Sequence, residues 1–417
     1  MALFTPLRGL RPAPGRAAEV AELPYDVMDR AEALAMAAGR PHSFLHVSRP
    51  DIDLPADAPA DSDEARALAA AAFAQLQADG LLVRDEAAAF HAYRLSGEVA
   101  GRPVHQTGVV GLASVEAYEA GRIRKHERTR PAKQADRAAH IEALDAQTGP
   151  AFLLHPPATA VTDVLATTTA APAPTDLTGP GGIRHELWPI TDPALIATLV
   201  TAFDAFEALH IADGHHRTAA AAMVHVHRGT PASAGFLAVA FPTDEVTLLP
   251  YNRVVRAPRA VPAQALLDAI GQHCVIEASD GPVTPAAPGR FGLYLAGRWY
   301  RLAVPGTALR AEAADPAVAS DPAEQLDVAI LQRLLLAPVF AIDDPRTDPR
   351  IDFVGGVRPL AELEHAVDAG GWDAAFSLHP TTVADLIGVA DAGGIMPPKS
   401  TWFEPKLLDG LVSHVLD

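Results

Sequence analysis

EALHIADGHHRTAAAAMVHVHR, residues 207–228, decides how this chain is read. A short apolar run ends in Leu209, His210 and Ile211, and a polar break, Asp213-Gly214-His215-His216-Arg217, follows. Then comes Thr218-Ala219-Ala220-Ala221-Ala222-Met223-Val224, a segment of strong helix formers. The order predicts strand, glycine turn, helix. Such a turn leaves the first N–H groups of the helix without partners and points the positive end of its dipole at the loop, which suits a phosphate. Gly214 permits close backbone approach, and Arg217 offers a planar donor fork matched to phosphate oxygens. The plain alternative is a strand-to-helix connection carrying exposed histidines, and spacing alone leaves both readings open.

Working outward, the second concentration of chemistry is Gly121-Arg122-Ile123-Arg124-Lys125-His126-Glu127-Arg128-Thr129-Arg130. It is a basic patch in a chain with 33 Lys+Arg against 51 Asp+Glu, a net charge of −18. A basic segment there attracts an anionic substrate, or it is a solvated loop leading into a helix over 133–147. Glu127, set among cations, is expected to stay ionised and able to accept a hydroxyl proton. Asp136, His140 and Gln147 on the following helix are candidate support residues.

Several stretches together resemble one family: LPYDV at 23–27, SFLHV at 43–47, HERT at 126–129, IADGHHR at 211–217 and MPPKSTWFEPKL at 396–407. They are similar to the domain-of-unknown-function family numbered ten-fifteen (DUF1015), with a core resembling the ParB/sulfiredoxin-like nucleotide-binding superfamily, which includes free serine kinases. The resemblance implies an α+β fold, ATP or ADP with Mg²⁺ as cofactors, and phosphorylation of a small hydroxylated amino acid, free serine. The alternative is a ParB-like regulator that binds or hydrolyses a nucleotide, CTP among the options, for a protein partner. On the favoured reading Gly214, His215, His216 and Arg217 hold phosphates, joined by Lys399, Ser400 and Thr401. Glu127, Asp213 and His126 are the catalytic candidates, with Asp213 also the Mg²⁺ ligand. Asp26, Arg128, Thr129 and Arg253 are the substrate-binding candidates.

The organisation expected is an N-terminal portion and core over 1–257, the core beginning near 105, then a smaller α+β domain over 258–417. Strands are expected at 43–47, 89–95, 105–115, 151–155, 183–188 and 236–241, and one strand over 246–255. Residues 156–182, rich in Thr, Ala and Pro, read as a linker or flap. Asp26 is a candidate cap for the helix Arg30–Gly39. Gly393-x₄-Pro398-Lys399-Ser400 imitates a P-loop except at its second glycine. Proline there has no N–H to offer, so a Walker-type site is rejected.

Composition bounds the rest. At 417 residues, 49% hydrophobic and 20% charged, the chain is long enough for two or three domains. The acidic balance argues against a nucleic-acid surface. The single cysteine, Cys274, excludes an internal disulfide and a cysteine-cluster metal site. With no leader-like start and no run near the ~20 apolar residues of a membrane span, a cytoplasmic protein is expected. The oligomeric state has no sequence signal.

Overall fold

The computed structural model describes residues 2–259, 261–306, 318 and 320–417. The chain forms two compact units, Met1–Val246 with Pro405–Asp417, and Thr247–Glu404. The architecture is mixed α+β. The last stretch of chain thus belongs with the first unit, and the motif at 396–407 is divided between the two.

The first unit is built on a nine-stranded sheet. Its strands are β1 (Phe4–Thr5), β2 (Phe90–Val99), β3 (Arg102–Ser114), β4 (Ile123–Arg124), β5 (Ala151–His155), β6 (Thr175–Thr178), β7 (Arg184–Ile190), β8 (Leu209–Asp213) and β9 (Gly235–Pro242). Across the sheet they run β4-β8-β5-β9-β3-β2-β7-β6, with β1 on β3. The β5–β9 and β4–β8 pairs are parallel and their neighbours antiparallel. Continuous apolar runs such as Ala151-Phe152-Leu153-Leu154 are wholly buried, as expected of strands covered on both faces. Phe4, Phe90 and Phe203 stack in the core, with Phe4–Phe203 centroids 4.7 Å apart.

Besides short helices at Ala17–Val20, Arg30–Ala37 and Val115–Glu119, this unit has α1 (Leu45–Ser48), α2 (Asp63–Ala78), α3 (Pro131–Leu144), α4 (Thr159–Thr168), α5 (Pro193–Asp204) and α6 (His215–Arg228). The hairpin β2–β3, the buried strand β5 and the Asp192-capped α5 follow the sequence reading. Three expectations fail for identifiable reasons. Ser43–Val47 is no strand: Leu45–Ser48 is one helical turn, with Phe44 set edge-on to Phe73 of α2. Four or five residues are too few for alternation to separate a strand from a turn of helix. The 156–182 stretch is no linker, because it carries α4 and β6. Its threonines fit a helix by donating back to carbonyls one turn earlier, Thr162 to Ala158, Thr167 to Asp163 and Thr168 to Val164. Asp26 does not cap the helix at Arg30; Asp29 does, in a reciprocal capping box with Glu32.

The second unit holds a six-stranded antiparallel sheet. Its strands are β10 (Tyr251–Val255), β11 (Val275–Ser279), β12 (Arg290–Leu295), β13 (Arg298–Ala303), β14 (Ile351–Gly355) and β15 (Ala374–Leu378), in the order β11-β13-β12-β15-β10-β14. The single strand expected over 246–255 is split at Pro250, which lacks the N–H a ladder needs. Its first half, Thr247–Leu249, pairs with Trp402–Glu404. Among the described residues, no helix is long and apolar enough to cross a membrane.

Burial makes several histidines poor bases. His126, His155 and His185 are pushed down to about 4 and His140 to about 3, in each case chiefly by loss of hydration. Their folded values lie below the unfolded one, so the stability they contribute is complete above pH 6.5 and is lost as pH falls from there towards 4. Asp409 and Asp327, raised to about 7 and about 6 by burial, work in the opposite sense but are outnumbered. Unfolding by denaturant at pH 5 is therefore expected to show stability lower than at pH 7.5 by several kcal/mol, on the order of one per titrating pH unit and group. Equal stability at the two pH values would contradict this account.

Candidate functional site

The site grows from the junction of β8 and α6. A register shift between Ile211 and Asp213 ends regular pairing with β5 and re-aims the Asp213 side chain. Gly214 follows at φ 93°, as the N-cap of α6. A side chain there is excluded twice, by the left-handed backbone and by Ala151, whose Cα would lie 3.1 Å from an added Cβ. No side chain caps the 14-residue helix. Its first-turn N–H groups after Gly214 therefore have no acceptor within the helix.

Asp213 ties this turn together. Its Oδ1 accepts the Gly214 N–H at 2.7 Å, and its Oδ2 accepts from the Lys406 ammonium at 3.0 Å. Burial opposes ionisation, but Lys406 and then Arg217 outweigh it and hold the carboxyl well below the usual carboxylate range. Lys406 is nearly buried and lies on the segment Pro405–Asp417, which threads back into this unit.

The two histidines act as clamps on the basic segment. His215 Nε2 accepts the His126 N–H at 3.4 Å, and His216 Nε2 accepts the Arg130 N–H at 3.1 Å. The His126 and His215 rings meet edge to face, 4.4 Å between centroids. Acceptance at Nε2 requires that nitrogen to be unprotonated. Burial, followed by repulsion from His126, holds His215 well below its usual range and keeps it neutral. Glu127, half exposed, sits with Oε2 3.8 Å from His215 Nδ1, within ion-pair but not hydrogen-bond reach. Thr129 Oγ1 accepts from Gln134, and Arg128 is exposed.

Arg217 does not present the free fork the sequence suggested. Its Nη2 reaches both oxygens of Asp26, at 3.0 and 3.1 Å, and its Nη1 donates to the Pro150 carbonyl at 2.9 Å. The guanidinium also lies over the Tyr25 ring at 5.5 Å, with Arg137 over the same ring at 4.4 Å. Against the burial that lowers it, Asp26 and Asp409 keep Arg217 firmly cationic. The aromatic ring and the carboxylate of LPYDV are thus brought to α6, as a brace for Arg217.

Asp26, His126, Glu127, Asp213, Gly214, His215, His216 and Arg217 are in the first unit. Arg253, Lys399, Ser400 and Thr401 are in the second. Buried Arg253 donates to the Tyr251 carbonyl and, at 3.0 Å, to the Lys399 carbonyl, so it holds the turn before Trp402. Lys399 adopts a left-handed backbone, φ 56°, with its ammonium 5.4 Å from the Tyr251 ring centre. Ser400 Oγ donates to the Pro397 carbonyl at 2.6 Å.

The sequence reading missed Lys406, Asp409 and Arg137. Lys406 lies inside the quoted MPPKSTWFEPKL motif, but the near P-loop drew attention to Lys399. Asp409 had one signal, a carboxylate before a glycine in an otherwise apolar stretch. The residues do not fit a protein-held Mg²⁺. Both Asp213 oxygens are engaged by an amide and an ammonium, and no group of three His, Cys, Asp or Glu suited to a metal occurs among the described residues.

A family model described as "Protein of unknown function (DUF1015)" matches residues 4–329. No curated protein matches the chain in sequence. Among solved structures, a free serine kinase in complex with AMP is 10% identical with a TM-score of 0.34, covering 70% of this chain and 86% of that one. A C-terminally truncated SbnI from Staphylococcus aureus is 11% identical with a TM-score of 0.38, covering 73% and 86%. A conserved hypothetical protein from Pyrococcus furiosus is 11% identical with a TM-score of 0.32, covering 72% and 92%.

The clamp makes a direct prediction. His216→Phe keeps a ring but removes the acceptor for the Arg130 N–H, so that amide is expected to exchange with solvent roughly tenfold faster, the equivalent of about 1.4 kcal/mol of local protection. Hydrogen exchange read by NMR checks it; an unchanged Arg130 rate would show that the ring only fills space.

Proposed function

The chain belongs to the DUF1015 family, and from the geometry of its central loop we propose that it transfers a phosphoryl group from a nucleotide to a small hydroxylated amino acid. The core on this reading is ParB/sulfiredoxin-like. One observation carries it: an uncapped helix N-terminus, entered through a positive-φ glycine, has the basic segment 122–130 bonded onto its first turn. The N–H group of His215 and the positive end of the helix dipole offer a cradle for phosphate oxygens. Lys406 adds a fixed ammonium beside the turn, the compact point charge that phosphate sites use. These are the donors that phosphoryl transfer needs, since positioning and charge stabilisation supply most of its catalysis.

Glu127 is the base in this scheme. Its carboxylate is half exposed beside the loop, reachable by a bound acceptor. The acceptor oxygen attacks the terminal phosphorus of ATP, its proton passes to Glu127, and the bond from phosphorus to the ADP oxygen breaks. Serine is the acceptor that the sequence resemblance implies, and ADP is the alternative donor. Arg217 and Asp26 keep the substrate side of the helix in place instead of meeting phosphate themselves.

Incubation with ATP or ADP and free serine, followed by phosphorus NMR, is expected to show O-phosphoserine. Glu127→Gln is expected to keep nucleotide affinity and lower turnover by roughly a hundredfold or more, as for loss of a general base. No phosphorylated amino acid with either nucleotide would overturn the reaction. Full turnover in the variant would remove Glu127 from it.

A further inference from the structure

In the second unit the turn Pro397-Pro398-Lys399-Ser400 has a one-sided polarity. Each of its carbonyls accepts from a side chain. Pro397 accepts from Ser400 Oγ at 2.6 Å, and Ser400 from Thr381 Oγ1 at 2.9 Å. Between them, Pro398 and Lys399 accept from Arg253 Nη2 at 3.4 and 3.0 Å. The amides are not used in the same way. The two prolines have no N–H, so the run of donors begins at Lys399. Among the described residues, the N–H groups of Lys399, Ser400 and Thr401 meet no acceptor. Lys399 is held in the left-handed region at φ 56°. Successive N–H groups in a turn of this kind form a concavity suited to an anion.

The charge around the turn has the matching sign. Arg253 is 3% exposed, donates to backbone carbonyls and lies over the Phe353 ring at 5.1 Å. No carboxylate among the described residues pairs with it, and burial pushes its guanidinium down to about 9. A charge this deeply buried ordinarily has an opposite charge beside it. Lys399 is exposed, and it too has no carboxylate partner among the described residues. Two cations and three amide donors thus share one turn with no anion from the chain. The donor number favours phosphate over carboxylate, since a phosphate group has at least three strong acceptor oxygens and a carboxylate two.

We propose that the turn at Lys399–Thr401 is an anion site of the second unit that takes a phosphate group, free or esterified, on its three amides and the Lys399 ammonium. Arg253 is a positioning residue beneath it, holding the carbonyls away from the ligand. The site goes beyond the phosphoryl-transfer reading and does not depend on it, since every residue named lies within Thr247–Glu404.

The test titrates the full, isotopically labelled chain, without nucleotide, with inorganic phosphate, glycerol 3-phosphate and acetate. Backbone amides are followed by NMR, and affinity is read by calorimetry. The amides of Lys399, Ser400 and Thr401 are expected to shift together and saturate with at least one phosphate probe, and not with acetate. Saturation by both probes would assign the site to the phosphate group itself, and saturation by glycerol 3-phosphate alone to an esterified phosphate; both support the proposal. Lys399→Glu, at an exposed residue, is expected to weaken that binding at least tenfold with an unchanged melting temperature. Should it fail to fold, Lys399→Gly removes the ammonium while suiting the left-handed backbone, and is expected to weaken binding roughly tenfold. No shift at 399–401 with either phosphate probe at tens of millimolar would overturn the proposal. Equal saturation by acetate, or unchanged affinity in the folded variant, would do the same. Shifts confined to Gly214 and His215 would overturn this site while leaving the α6 reading in place, so the two can fail separately.

Discussion

The Asp213 carboxylate is the joint on which the first unit's chemistry depends. One oxygen fixes the Gly214 N–H and so the sharp entry into α6, while the other holds Lys406. Strand end, helix start and returning C-terminal segment thereby share one side chain. A carboxylate in this position must remain charged to do both jobs, and the neighbouring Lys406 and Arg217 ensure that it does. With Asp213 spent on the turn itself, the helix N-terminus is left without a side-chain cap.

Around this joint the first unit separates two kinds of polar environment. On the side of the basic segment, neutral histidines act as acceptors for backbone amides, which orders a loop rich in like charges without adding another cation. On the side of Tyr25 and Arg137, charges are paired and stacked: Asp26 on Arg217, and two guanidiniums against one tyrosine ring. The first arrangement bonds the basic segment onto the first turn of α6, beside the Lys406–Asp213 pair. The second lines a cavity in whose wall Asp409 Oδ1 and Arg217 Nε have no hydrogen-bond partner among the described residues. α6 supplies residues to both environments.

Much of this was legible in the chain. The strand, glycine turn and helix at 209–228 follow from local propensity and from a residue able to take φ 93°, and both are properties of a few adjacent residues. The hairpin around Gly97–Gly101 was legible for the same reason. What escaped is non-local. Arg217 reads as a free phosphate fork until Asp26, far away in sequence, is folded onto it. Lys406 and Asp409 acquire their roles only because the chain returns from the second unit and pairs with Glu22, Leu10 and Ala146–Gln147. Short stretches also misled where their pattern was ambiguous, as at Ser43–Val47, and where threonines masked helix by hydrogen-bonding back to it, as in Thr159–Thr168.

The central claim is that the first turn of α6 receives the phosphates of a nucleotide. Titration of isotopically labelled protein with ADP, following backbone amides by NMR, tests it most directly. The account predicts that the amides of Gly214, His215 and His216 shift together and saturate with a single affinity, with Arg130 following through its bond to His216. Saturable ADP binding that leaves those amides unmoved, or no binding at all, would contradict it.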